Sequence, residues 1–453
     1  MASTYLTRTP TTENINKLTL SCWVKRGSIS NNSQRIFSNS SSEYLFYRFD
    51  SNEKFRFTIV VDGSETTLRT ERVFRDTSAW YNIVVRWDTT QSTEADRIQI
   101  WVNGVRETSF SLATYPALNS TSDMFNNGTP FEIGRYDDGN SEYFDGSLSY
   151  LICCSGYAYD ASYFGSTDST TGEWKINTSP SVTYGTNGFF ILKNGNSVTD
   201  QSGNGNNFTV GGGTLTNTED CPSNVFATLN PLLIGSYATL SNGNNTITGT
   251  SSSNNSHRPA TLQVGTSGKY YYEVKVTSNE SGSGSEYSQD GIVPNAEVIQ
   301  QGDGNGAAGF YPKLYFDCQG KVERSNLGTG LSDLTGLTSV GSTGIKMFAI
   351  DMDNGAIYIG ANGTWLNNGS AVGVPTSGAS KTGAMWSFTP SDYPNIAICS
   401  SAYYGSVTNY NFGNGYFGTS AVASAGTNAS SNGIFEYDVP TGYTALSTKG
   451  LNL

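Results

Sequence analysis

The feature that most constrains this chain is a two-residue alternation of apolar and polar side chains, repeated from one end to the other. Leu18, Leu20, Cys22 and Val24 alternate with Thr19, Ser21 and Trp23. Phe55, Phe57, Ile59 and Val61 follow, then Tyr81, Ile83, Val85 and Trp87, Ile98, Ile100 and Val102, Phe131 and Ile133, and Leu148, Tyr150 and Ile152. Tyr270, Tyr272, Val274 and Val276, the run Met347–Met352, Ala356–Gly360, and Ile396 with Ile398 carry the pattern into the second half. Successive side chains of a strand point to opposite faces, so this period specifies half-buried strands. Gly, Asn, Asp and Ser bound each run, and Asn103-Gly104 and Asn362-Gly363 are hairpin turn pairs. No long segment carries the 3.6-residue helical period. The expected fold is all-β: two antiparallel β-sandwich, or jelly-roll, domains in tandem.

Asp220-Cys221-Pro222-Ser223 and Pro231 interrupt the strand pattern. Proline removes a ladder donor, so the expected boundary separates residues 1–221 from 222–453. Ser251–Arg258, Ser281–Gly306 and Ser420–Asn432 read as long polar loops of the second domain.

Charged residues make up only 14% of the chain and the net charge is −12, against about 25% charged in an average domain. A negative field repels phosphate backbones, which argues against nucleic acid and anionic membrane as partners. No run of about 18 apolar residues exists to cross a membrane as a helix. The six cysteines include no CxxC pair, and adjacent Cys153 and Cys154 belong on opposite strand faces. They read as small buried hydrophobes. A zinc site lacks ligands, since His257 is the one histidine of the chain. The start of the chain carries no apolar signal-peptide core, which suggests assembly in a host cytoplasm and release by lysis.

The first half resembles laminin-G-like, concanavalin A-type jelly rolls. The resemblance rests on LTLSCWVKRG (18–27), AWYNIVVRWD (79–88), IQIWVNGVRE (98–107), FEIGRYDDG (131–139) and YFDGSLSYLICCSGYAYD (143–160). The next strings, FGSTDSTTGEWK, YGTNGFFILK, DQSGNGNNFTV and DCPSNVFATLNPL, look like the continuation found in bacteriophage structural proteins, those of marine phages especially. The second half resembles the SPRY sandwich through GKYYYEVKV, FAIDMDNGAIYIGANGTWLNNG and VTNYNFGNGYF; residues 282–304 depart from that pattern. The resemblance implies a virion surface protein, a head decoration, fibre or tail-associated component. It would contact other virion proteins, occur in many copies or as a homo-oligomer, and attach to a host-surface glycan or receptor. The first domain begins close to Met1, which favours a head-associated or short accessory component.

Concanavalin A-type folds also include glycosidases, which set two carboxylates about 5–9 Å apart. Glu94, Asp96 and Gln99 approach a glycosidase strand motif, but Gln99 cannot ionise. His257, expected in a solvated loop, lacks the partners of a nucleophile–base pair. The alternatives to attachment are therefore a ligand-free capsid cement protein and, with less support, a polysaccharide-degrading enzyme. Calcium is the expected cofactor if one exists, since related D-x-S-G-N loops bind it in some laminin-G-like domains. Asp200, Asn204 and Asn206 would be the ligands, with Asp137, Asp138 and Asp145 a weaker set. Asp351–Gly355 reads as a type I′-like turn. Ligand contacts are expected from tyrosine faces that stack on sugar rings and from polar loops at the sandwich ends. The candidates are Tyr136, Tyr143, Tyr157, Tyr159, Tyr403, Tyr404 and Tyr410, with His257, Glu286 and Tyr287.

Overall fold

The computed structural model describes residues 4–452 apart from 30–31, 40–42, 127, 137–141, 194, 196, 233–236, 251–255, 279–287, 295–312, 326 and 328–330. It divides into two compact units, Met1–Asn217 and Thr218–Leu453. Every sheet lies within one unit. The elements are strands, short 3-10 turns and irregular connections.

Among the described residues of the first unit, two large sheets stand out. The eight-stranded one runs Phe110–Thr114, Ser64–Val73, Lys54–Val61, Leu45–Phe49, Gln34–Ser38, Phe131–Ile133, Tyr5–Arg8, Thr209–Gly212. The six-stranded one runs Val105–Arg106, Ile98–Val102, Tyr81–Asp88, Lys17–Arg26, Gly146–Ser155, Phe189–Ile191. All their pairings are antiparallel. The alternation does what it predicts. Leu18, Leu20, Cys22 and Val24 share one core with Phe55, Phe57, Ile59 and Val61.

One strand breaks the pattern. Between Ser149 and Ile152 the ladder is shifted by a bulge, and Tyr150 takes φ +50°. The expected face of Leu148, Tyr150 and Ile152 is therefore split. Leu148 packs on the inter-sheet core with Leu151 and Cys153, whereas Tyr150, Ile152 and Cys154 lie on the outer face. An extra residue in one strand reverses the alternation beyond it.

That outer face is apolar and needs a cover. Residues 156–188 supply it as a strap: Ala161, Phe164 and Trp174 pack on Val84, Trp101, Cys154 and Phe190. Trp174 sits in the short hairpin Gly165–Thr167/Trp174–Ile176 and donates its indole N–H to Asn82 Oδ1 at 3.1 Å. Its ring occupies the space above two glycines. A Cβ on Gly104 would stand 2.3 Å from ring carbons, and one on Gly165 2.5 Å. Gly104 also has φ +77° and follows Asn103 at φ +48°, the twist-matched turn that the Asn-Gly pair favours.

In the second unit a five-stranded sheet runs Ser256–Pro259, Ala397–Ala402, Ser288–Val293, Lys313–Phe316, Val322–Ser325. A larger sheet centres on Ala238–Ser241, Thr246–Gly249, Val407–Asn411, Lys269–Ser278, Ile345–Asp351, Ala356–Ala361 and Thr364–Trp365. Tyr270, Tyr272, Val274 and Val276 face the core between the two. Part of the expected loop Ser281–Gly306 is in fact the strand Ser288–Val293, paired on both sides. At Asp351–Gly355 the left-handed residue is Gly355, at φ +70°, and not Asn354, so the turn is not of type I′.

Replacing Gly104 with Ala is expected to destabilise the first unit by at least about 2 kcal/mol, from left-handed strain together with the clash against Trp174. Urea denaturation measures it, and the penalty of Gly104→Ala should shrink in a Trp174→Ala background, where the clash is gone.

Candidate functional site

The predicted tyrosines fall into separate clusters. Tyr136 is half-buried and packs on Arg35, whose guanidinium carbon lies 3.9 Å from the Tyr136 ring centre and 3.6 Å from that of Phe46. Glu142 pairs with both Arg35 and Arg48. Tyr143 hydrogen-bonds the Arg135 guanidinium. Tyr136 is therefore engaged by an arginine through its ring and Tyr143 through a hydrogen bond. Tyr410 is fully buried and gives its hydroxyl to Asp290 at 2.6 Å, which removes it as a surface candidate. Half-buried Tyr403 and Tyr404, 38% exposed, lie 6.0 Å apart in a tight turn where Tyr404 has φ +48° and Gly405 φ +74°. Glu286 and Tyr287, like Asp137 and Asp138, lie outside the described residues.

Tyr157 and Tyr159 meet a third ring that sequence reasoning missed. Tyr157 and Tyr159 are nearly parallel, with ring centres 6.3 Å apart, and Tyr163 lies 4.7 Å beyond Tyr159. Tyr157 is 41% exposed and Tyr163 40%. The signal was present in the spacing of GYAYDASYF, but only the 3-10 turn Ala161–Tyr163 brings Tyr163 back beside Tyr159.

The ladder is held from beneath. Thr19, buried on the strand below, donates its hydroxyl to Tyr157 O at 3.0 Å and accepts the Tyr159 N–H at 2.8 Å. Asp160 caps the 3-10 turn by accepting the Ser162 N–H at 2.9 Å. Tyr159 Oη accepts the Thr183 N–H, and Asn177 Nδ2 donates to Tyr163 O, both at 2.9 Å. The rings are thus presented by a fixed backbone, with Ser162 and Asn177 beside them. Such a surface offers flat apolar faces flanked by hydroxyl and amide groups.

The expected calcium loop has another job. Asp200 Oδ1 accepts the N–H groups of Phe190 and Ser202, and Oδ2 accepts the Asn206 N–H and the Ser202 hydroxyl. Asn204 Nδ2 donates to Gly185 O and Gly188 O, and Asn206 Nδ2 to Thr186 O and Gly188 O. Asn206 Oδ1 accepts a bond from the Arg8 guanidinium. A cation would compete with that guanidinium and displace the bonds that close the turn, so these residues do not fit Ca²⁺. Among the described residues no group of three or more His, Cys, Asp and Glu side chains is placed to hold a metal ion.

One other expectation changes. His257 lies on the strand Ser256–Pro259, buried, opposite Ser401 and stacked near Tyr315 with ring centres 6.2 Å apart. It is not a solvated loop residue. Burial, with the Lys313 and Arg258 cations nearby, pushes its pKa down to about 3. Glu94 and Asp96 form a 3-10 turn before strand Ile98–Val102, where Asp96 accepts bonds from Gln99 at 2.7 Å and Arg106 at 2.9 Å.

Residues 2–151 match the family model Laminin_G_3, described as the concanavalin A-like lectin/glucanases superfamily. That part of the first unit is similar to concanavalin A-like jelly rolls. The tyrosine ladder lies beyond the matched residues. No curated protein matches the chain. Two solved structures with a partial likeness are the native heptameric SAP-like pentraxin from Limulus polyphemus and the SPRY domain of human HERC1. The first is 18% identical, covers 35% of this chain and 72% of that chain, and has a TM-score of 0.25. The second is 16% identical, covers 40% of this chain and 96% of that chain, and has a TM-score of 0.28.

The buried histidine makes a pH prediction. Its folded pKa lies below the ordinary 6.5, so the unfolded chain takes up a proton that the folded chain refuses, and stability falls as pH drops below 6.5. Between pH 7 and pH 5 the wild type is expected to lose about 2 kcal/mol more than His257→Gln in urea unfolding. Equal losses would show that the imidazole is accessible to protons in the fold.

Proposed function

We propose that this chain is a non-enzymatic attachment protein whose first sandwich binds a hydroxyl-rich ligand, a host-surface glycan or glycosylated receptor, on the Tyr157–Tyr159–Tyr163 ladder. The observation that carries this reading is the pair of exposed rings at either end of a ladder whose backbone is pinned by Thr19, Asp160 and Asn177. A binding surface that is already ordered loses little conformational freedom on association. The same ladder holds no acid–base pair: the one carboxylate of the turn, Asp160, is engaged as a cap. Hydrolysis is therefore not part of the proposal.

The location proposed is the surface of a phage particle, in many copies. Its support is the resemblance of residues 164–232 to phage structural proteins. Single tyrosine platforms bind sugars weakly, and display of many copies raises the effective concentration of each further contact.

The test is a glycan array with the full chain displayed multivalently, followed by titration of the best binder. Tyr157→Ala and Tyr163→Ala are each expected to weaken binding about tenfold, the scale of one aromatic contact. Tyr404→Ala, in the second unit, should leave it unchanged. An array without any binder would shift the reading to a ligand-free cement protein.

A further inference from the structure

Inside the second unit, one lysine and one aspartate meet between the two sheets. Lys346 lies on Ile345–Asp351 and shares the inward parity of Phe348 and Ile350; Asp290 lies on Ser288–Val293 and shares that of Ile292. Both occupy positions where the alternation calls for an apolar residue. Both are 0% exposed, and Lys346 Nζ stands 2.7 Å from Asp290 Oδ2.

The two carboxyl oxygens are held differently. Asp290 Oδ1 accepts the Tyr410 hydroxyl at 2.6 Å and the Ser400 hydroxyl at 3.0 Å. Oδ2 faces the amine, with the Ser288 hydroxyl at 3.3 Å. Ser288 O at 2.8 Å, Ser288 Oγ at 3.1 Å and Phe316 O at 3.0 Å also lie within hydrogen-bonding reach of Nζ and share its remaining N–H groups, which holds it against the carboxyl group. Two donors on one oxygen are the arrangement that stabilises an oxyanion during acyl transfer. A lysine amine removed from water is a nucleophile once it has lost its proton. A buried ion pair by itself is weak support for a fold, because desolvation offsets the attraction.

We propose that Lys346 and Asp290 join spontaneously in an amide bond that ties the two sheets of the second unit together. A proton passes from Nζ to Oδ2 along their hydrogen bond, leaving a neutral amine and a neutral acid. The Nζ lone pair attacks Cγ, the C–N bond forms, and the charge that develops on Oδ1 is taken by Tyr410 and Ser400. A second proton moves from nitrogen to Oδ2, the Cγ–Oδ2 bond breaks, and one water leaves. Ammonium and carboxylate become an amide and water, so charge and atoms balance with no outside reagent.

The test is intact-mass measurement and tryptic mapping of the purified full chain. The expected mass is lower than that of the sequence by one water, with the peptides containing Lys346 and Asp290 linked and Lys346 uncleaved. A full sequence mass with cleavage after Lys346 would overturn the proposal, as would loss of water without a linked peptide. Asp290→Asn should form the same bond with loss of ammonia, which a merely structural ion pair would not do. Tyr410→Phe, which keeps the ring and removes one donor from Oδ1, should slow the appearance of the linked species at least tenfold in freshly made protein. An unchanged rate would overturn the role given to that hydroxyl.

Discussion

Face-to-face packing of two β-sheets is the interaction on which each unit rests. In the first unit Phe37, Tyr47, Phe57 and Leu68 from one sheet meet Leu20, Val85, Trp87 and Ile100 from the other, all essentially without solvent contact. Burying such side chains contributes roughly 1.5–3 kcal/mol each. The rigidity of that core positions everything outside it. Thr19 can hold the tyrosine ladder because its neighbours Leu18 and Leu20 are locked inside.

A sheet has a second face, and in both units this face is also apolar. The first unit covers it with the strap that carries Trp174 and the tyrosines. In the second, Tyr271, Met347, Ala349 and Tyr358 point away from the main core and are covered by Phe226, Phe435, Val439 and Tyr443. The C-terminal segment is clasped there by Glu273, which accepts the N–H groups of Glu436 and Tyr437, both at 2.8 Å, and the Tyr271 hydroxyl at 2.9 Å. Burial pushes this carboxyl up to about 7 while the same donors pull it down. Irregular chain thus becomes part of the fold once it has an apolar sheet to lie on and buried acceptors to hold it.

Charged residues are scarce, and several of them are spent inside. Arg26 is buried against Glu53 at 2.8 Å and Phe74 O at 2.7 Å. Buried Asn187 donates to Thr11 O and Glu13 and accepts the Thr11 N–H, so it ties the N-terminal segment to the turn that Asn204 and Asn206 grip. The Arg26, Glu53 and Asn187 side chains are hydrogen-bonded, which is what keeps their burial tolerable. The same requirement turns the Asp200–Asn206 loop inward, onto backbone groups of its own unit.

The all-β architecture and the core faces of most strands were determined by the sequence alone. Local chemistry suffices there, because alternation and turn residues act over a few neighbours. The Asn-Gly turns at Asn103 and Asn362 belong to the same class, since their left-handed backbone angles follow from the residues themselves. Tertiary structure alone decided what the polar and aromatic residues do. His257 was expected in water and is buried on a strand because Ala397–Ala402 pairs with it. Asp200 was a candidate ligand should calcium bind, and its oxygens are taken by N–H groups from its own turn and from Phe190, ten residues away. Tyr410 was one of the candidate stacking rings, and its parity on a central strand sends it to Asp290. Tyr163 joined Tyr157 only through the fold of the strap. In each case the deciding partner lies on another strand or turn, and side-chain type and spacing do not specify which distant backbone group will come within hydrogen-bonding reach.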